Sequence, residues 1–118
     1  MKIISRTEEM ILLSVYHLGK KAYGIAIREY LREVTGKAYS VGAIYVPLER
    51  LEAKGLLLVA EGGPTAERGG RSKRFFHLTE KGKLALENVR ILNESLRKNY
   101  FDPQSKSIIN LMPKGSWQ

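Results

Sequence analysis

A chain of 118 residues has the length of one domain, and 43% apolar residues suffice for a modest core, so multidomain readings are set aside. Twenty basic against twelve acidic residues give a formal charge of +8 and a pI near 9.8, the balance of a protein that meets a polyanion, nucleic acid first among them. The absence of cysteine excludes disulfides and thiolate metal sites, and His17 and His77 lie far apart without matching carboxylates, so neither a metal nor a cofactor is expected.

In chain order, Ser5-Arg6-Thr7-Glu8 reads as a capping box, with Glu8 and Glu9 placing negative charge at the positive end of a helix that runs to about Leu18. Its longest apolar run, Met10 to Tyr16, is interrupted by Ser14 and is too short to cross a bilayer. No signal segment is seen, which points to a cytoplasmic protein with no membrane partner. Apolar residues on nearly every side of this helix predict burial between its own domain and something else, such as a second subunit. A second helix is predicted over residues 23–35, with Ile27, Leu31 and Val34 on its apolar face and Gly36 as its terminator.

Only residues 36–39 separate it from a third helix, so the two cross steeply, as in a helix-turn-helix. Ser40 is the expected N-cap, Val41, Ile44, Leu48 and Leu51 make an apolar face, and Gly55 marks the end. That leaves Ala43, Tyr45, Glu49 and Arg50 pointing elsewhere. Pro47 removes one helical hydrogen bond, at a cost of about 3 kcal/mol in an isolated helix, which predicts a kink. The alternative is a helix that begins only after Val46.

Residues 56–60 and 74–78 have strand character and form a hairpin around a loop, residues 61–73, rich in glycine and carrying Arg68, Arg71 and Lys73. A flexible cationic hairpin beside a helix-turn-helix reads as a wing. Thr79 caps a last helix of about 20 residues, roughly 30 Å long, which Asp102-Pro103 stops. Ala85, Val89, Leu92, Leu96 and Tyr100 form its apolar stripe, flanked by Leu84 and Ile91. So wide a face projecting from a small domain calls for a homodimer, with Val89, Leu92, Leu96 and Tyr100 as its contacts. The fold class that emerges is α+β and mainly helical. A winged helix-turn-helix spans residues 1–79, a dimerisation helix residues 80–101, and a tail residues 102–118, either loosely held or docked on the partner subunit.

The third helix offers Ser40, Gly42, Ala43 and Tyr45 to double-stranded DNA, because amides and small side chains at a helix start allow close approach to phosphate and groove. Tyr45 has a second reading, as an aromatic packed against the hairpin. Arg50 lies further along, beside Glu49 and Glu52, and reads equally as part of a solvated charge cluster. Arg68, Arg71, Lys73 and Arg74 place four cations within seven residues on the hairpin, suited to a minor groove or neighbouring phosphates. Tyr23 and Gly24 at the start of helix two would add a phosphate anchor through hydroxyl and amide, or serve only as structural capping. Enzymatic chemistry finds no nucleophile elbow and no phosphate loop, since GGPTAERGG lacks the Lys-Ser/Thr ending.

Three segments, YGIAIREYL, SVGAIYVPLERLEAKGLL and GGRSKRFFHLTEKGK, agree in order and spacing with one family: the chain resembles the PadR-like bacterial transcriptional regulators over residue 7 to about residue 100. The resemblance implies a winged-helix homodimer that binds a roughly palindromic operator and usually represses. Many members place proline directly after the helix-three tyrosine, whereas here Val46 intervenes before Pro47. Some respond to small aromatic compounds, so a small aromatic effector joins DNA and a second copy as a candidate partner. The lone tryptophan, Trp117, matches no interfacial aromatic. The rival reading is a winged helix used for protein contact without specific DNA binding.

Overall fold

The computed structural model describes residues 3–62 and 73–101, so Arg68 and Arg71, the tail 102–118 and Trp117 lie outside the described residues. Ser5 starts α1 (Arg6–Leu18) with a complete capping box: the Glu8 N–H donates to Ser5 Oγ at 3.1 Å and the Ser5 N–H to Glu8 Oε1 at 2.8 Å. The apolar character on all sides of this helix divides into a core face, Ile11, Leu12 and Val15, and an uncovered face with Leu13 and Tyr16. A single 3-10 turn, Gly19–Lys21, leads to α2 (Gly24–Thr35), which buries Ile27 and Leu31. Val34, expected on the same face, is exposed, because it sits in the last turn, past the reach of the core.

Ser40 caps α3 (Val41–Ala53), its Oγ accepting from the Ala43 N–H at 3.1 Å, and Ile44, Leu48 and Leu51 are buried. Val41, also expected on that face, is exposed in the first turn. The helix runs through Pro47 as one element, so a start after Val46 is ruled out. Proline's missing N–H takes a helical partner only from the Ala43 carbonyl, on an exposed residue that is open to solvent. At the far end the Gly55 N–H donates to Glu52 O and the Leu56 N–H to Leu51 O, both at 2.9 Å, a Schellman closure that needs Gly55 at φ 79°.

That closure takes Leu56 out of the strand, so β1 is Leu57–Gly62 where residues 56–60 were expected, paired antiparallel with β2 (Lys73–Leu78) from Leu57↔Leu78 to Gly62↔Lys73. Leu57, Val59, Phe76 and Leu78 share the core face, and Leu58 and His77 face out. The hairpin is also sewn to the α1–α2 connection: the Phe76 N–H donates to Ala22 O at 2.7 Å, and Tyr23 bridges Phe75. Thr79 Oγ1 accepts from the Gly82 N–H at 3.0 Å and donates to Gly55 O at 2.7 Å, which starts α4 (Glu80–Phe101) against the end of α3. The result is a mainly helical α+β fold with a two-stranded wing and a C-terminal helix.

One buried charge ties the helices together. Glu8 is 6% exposed, and its Oε2 meets Lys54 Nζ, at the C-cap of α3, at 2.9 Å; Lys81 Nζ donates to Lys54 O at 2.9 Å. Burial pushes the Glu8 carboxyl up, but the Ser5 N–H, the Lys54 ammonium and the Ser5 hydroxyl together outweigh it and hold the group below its ordinary 4.5. A depressed carboxyl contributes stability above its unfolded value and loses it as the pH falls through the folded one. In urea denaturation the chain therefore loses stability below about pH 4.5. Glu8→Gln flattens that loss and costs about 1–2 kcal/mol at neutral pH. An unchanged acid limb in the variant would refute this role.

Candidate nucleic-acid interface

α3 lies with one face in the core, and its outer side presents Ser40, Gly42, Ala43, Val46, Glu49 and Arg50 to solvent. Its leading turn is unobstructed: a Cβ built on Gly42 meets nothing within 4 Å. Ser40 holds only one amide there, so other first-turn N–H groups remain to face an anion. Arg50 is exposed beside exposed Glu49, within an ordinary charged face.

Tyr45 is half-buried, and its phenol ring lies on Gly24 at the first turn of α2, so close that any Cβ at Gly24 would enter the ring. It is a packed aromatic, set against the core and against the start of α2. Tyr23 occupies the N-cap of α2, but its hydroxyl accepts no helix N–H, so it does not perform structural capping through its side chain. Its ring meets Phe75 edge-on, with centroids 5.7 Å apart at 73°, and the Lys73 ammonium sits 4.2 Å from its centroid. Tyr23, Gly24, Tyr45 and Lys73 thus come together where the loop end of β2 meets the start of α2.

Arg74 is engaged within the chain. Its Nη2 reaches Glu52 Oε1 of α3 at 3.2 Å, and its guanidinium lies 5.7 Å from the Phe76 ring centroid. Both charged groups are more than a third exposed, so the pair contributes at most about 1 kcal/mol, and its effect is to tie the loop-end half of β2 to the helix. Two residues absent from the sequence-based set matter here: Glu52, which holds Arg74, and Arg28, whose Nε donates to Tyr39 O at 2.5 Å. Neither pairing leaves a local sequence pattern.

Along α4, Val89 is 5% exposed and so already covered within the one chain, whereas Leu84, Ile91, Leu92, Leu96 and Tyr100 are exposed, Leu96 at 68%. A groove of about 570 Å³ between α1 and α4 is walled by Leu13, Tyr16, Leu78 and Leu86 under a charged rim in which Arg90 pairs with Glu87 and Glu94. A second groove, of about 490 Å³, lies over Ile4, Leu56, Leu84 and Ala85, with Glu8 and Lys54 at its polar end. Among the described residues no group of histidine and carboxylate side chains could hold a metal ion, and no helix is long and apolar enough to cross a membrane.

Solved structures share this architecture. A PadR-like transcription factor from Bacteroides fragilis is 26% identical over 79% of this chain and 84% of its own, with a TM-score of 0.66. A PadR family transcription regulator from Clostridium difficile is 30% identical over 80% and 94%, with a TM-score of 0.58. RosR from H. salinarum is 27% identical over 91% and 87%, with a TM-score of 0.59. No curated protein sequence matches the chain. The model of the transcriptional regulator PadR-like family matches residues 12–88, which run from the core of α1 through the helix-turn-helix and the hairpin to the first half of α4. With the winged helix and that match in agreement, the chain belongs to the PadR-like family of transcriptional regulators.

Proposed function

We propose that the protein is a sequence-specific DNA-binding repressor that acts as a homodimer on a roughly palindromic operator. The observation that carries this reading is the leading turn of α3, which is capped, exposed and built from Ser40, Gly42 and Ala43, in one domain with a hairpin whose loop end carries Lys73. Small side chains let that turn enter a major groove, while the amides at the start of α2, the Tyr45 hydroxyl and the wing cations Lys73, Arg68 and Arg71 meet backbone phosphates. Arg74, held by Glu52, sets the wing's direction, and Arg50 reaches phosphate further along. Two such helices about 34 Å apart read the two half-sites. The exposed stripe of α4 with Leu13 and Tyr16 of α1 supplies the dimer surface, to which Leu92, Leu96 and Tyr100 contribute directly and Val89 from beneath.

Release by a small molecule requires a ligand that binds two dimer geometries with different affinity, and the grooves beside α4 are where an aromatic effector would act on that geometry.

Fluorescence anisotropy on duplex from the promoter of the protein's own gene, against scrambled duplex, tests the reading. With about six phosphates neutralised per dimer, log affinity falls against log salt with a slope of roughly −5. Alanine at both Arg68 and Arg71 abolishes binding. Equal, weak binding to both duplexes would overturn specific recognition and favour a protein-contact role. A single-chain mass for the same sample in sedimentation equilibrium would overturn the dimer.

A further inference from the structure

Resting on the DNA-binding reading, we propose that Arg28 is the positioning residue that sets the pose of α3 and thereby its discrimination between DNA sequences. The turn of residues 36–40 is short, and most of its hydrogen bonds are local. The Gly36 N–H donates to Arg32 O at 2.8 Å, the Lys37 N–H to Thr35 Oγ1 at 3.1 Å, and the Ala43 N–H to Ser40 Oγ at 3.1 Å. These bonds finish α2 and begin α3, but they do not fix one helix relative to the other. Among the described residues, the hydrogen bond that spans the turn is Arg28 Nε to Tyr39 O, at 2.5 Å and eleven residues apart.

The acceptor's position gives this bond its leverage. Tyr39 immediately precedes the N-cap Ser40, so its carbonyl marks where the backbone enters the first turn of α3. The Tyr39 ring packs on the core, with the Lys37 ammonium 5.0 Å from its centroid, so the residue is held from two sides, by packing and by a charge-assisted donor. Arg28 is half-buried on α2, the helix across the turn. Binding constellations need placement to about 0.5 Å, and base-edge contacts suffer from misplacement far more than phosphate contacts do. Loss of the Arg28 bond therefore lowers sequence preference more than it lowers general DNA affinity.

The test is anisotropy on promoter and scrambled duplex over a salt series, with thermal melting of the same samples. Arg28→Ala reduces the ratio of promoter to scrambled affinity by about tenfold, with the scrambled affinity and the salt slope unchanged. Arg28→Gln offers an N–H at the same distance from the backbone and restores the ratio to within about threefold. If Arg28→Ala does not fold, Arg28→Met, with a stem of similar length and no donor, takes its place. The proposal falls if the ratio survives in a folded Ala or Met variant. It falls also if both Ala and Gln weaken both duplexes alike and reduce the salt slope by about 0.9 per protomer, since Arg28 would then be a direct phosphate contact. A wild-type chain without promoter preference removes the DNA reading and this proposal together; a wild-type preference that Arg28→Ala leaves intact removes this proposal alone.

Discussion

Gly82→Ala is expected to destabilise the fold by about 3 kcal/mol in urea denaturation, although the same change in a helix ordinarily stabilises by up to about 1 kcal/mol. Gly82 is the third residue of α4 and is buried. A Cβ there would run into the Leu56 carbonyl oxygen and come within 2.8 Å of Leu78 Cδ1. The carbonyl belongs to the backbone and cannot rotate aside. It also accepts from the Thr79 N–H at 3.2 Å, the bond that leads the hairpin into the helix. The methyl group must therefore push the start of α4 off the end of α3, with loss of that bond and disturbance of the nearby packing of Leu56 and Leu78. Gly42→Ala is the control, because it adds the same atom to a helix in open space and is expected to leave stability level or slightly higher. A Gly82→Ala protein as stable as the wild type would show that α4 is not seated so closely.

The contrast between these two glycines shows what can be read from sequence and what cannot. Helix starts are written locally, since Ser5 with Glu8, Ser40 and Thr79 meet amides three residues away, and all three caps form. Helix three with its Gly55 stop, the hairpin and the long last helix follow from spacing and turn chemistry in the same way. Contacts between elements have no such signature. Lys54 lies 46 residues from Glu8, and Arg74 lies 22 from Glu52. A count of wing cations sees four equivalent charges, whereas the structure commits Arg74 to Glu52 and lays Lys73 over Tyr23. Periodicity likewise cannot say where the core ends, which is why Val34 and Val41 emerge exposed and Val89 is already covered. Tyr45 was readable as an aromatic with two roles, and only the approach of α3 to Gly24 shows where it rests.

That approach leads to the second large effect, a coupling between Gly24 and Tyr45. Gly24→Ala places a methyl group where the phenol ring lies, and the ring must swing out, at a cost of about 1–3 kcal/mol in stability. Tyr45→Ala removes a half-buried ring and costs about 1–2 kcal/mol by itself. In the double variant the methyl group enters space the ring has vacated, so the two losses should not add, and the cycle should show a coupling of at least about 1 kcal/mol. Additive losses would mean that the ring and the glycine do not constrain each other. Tyr45→Phe separates packing from chemistry, since it keeps the ring and removes only the hydroxyl. Its stability should stay within about 0.5 kcal/mol of the wild type, because the hydroxyl lies on a half-exposed residue where water replaces any lost partner. If that hydroxyl joins the α2 amides in holding a phosphate, Tyr45→Phe weakens promoter and scrambled duplex alike by a few-fold, about 0.5–1 kcal/mol. Gly24→Ala, which displaces the ring and crowds the amides together, weakens both duplexes further. Unchanged DNA affinity in both variants would leave Tyr45 as a spacer that sets the distance between α2 and α3 and would pass the phosphate role to the wing.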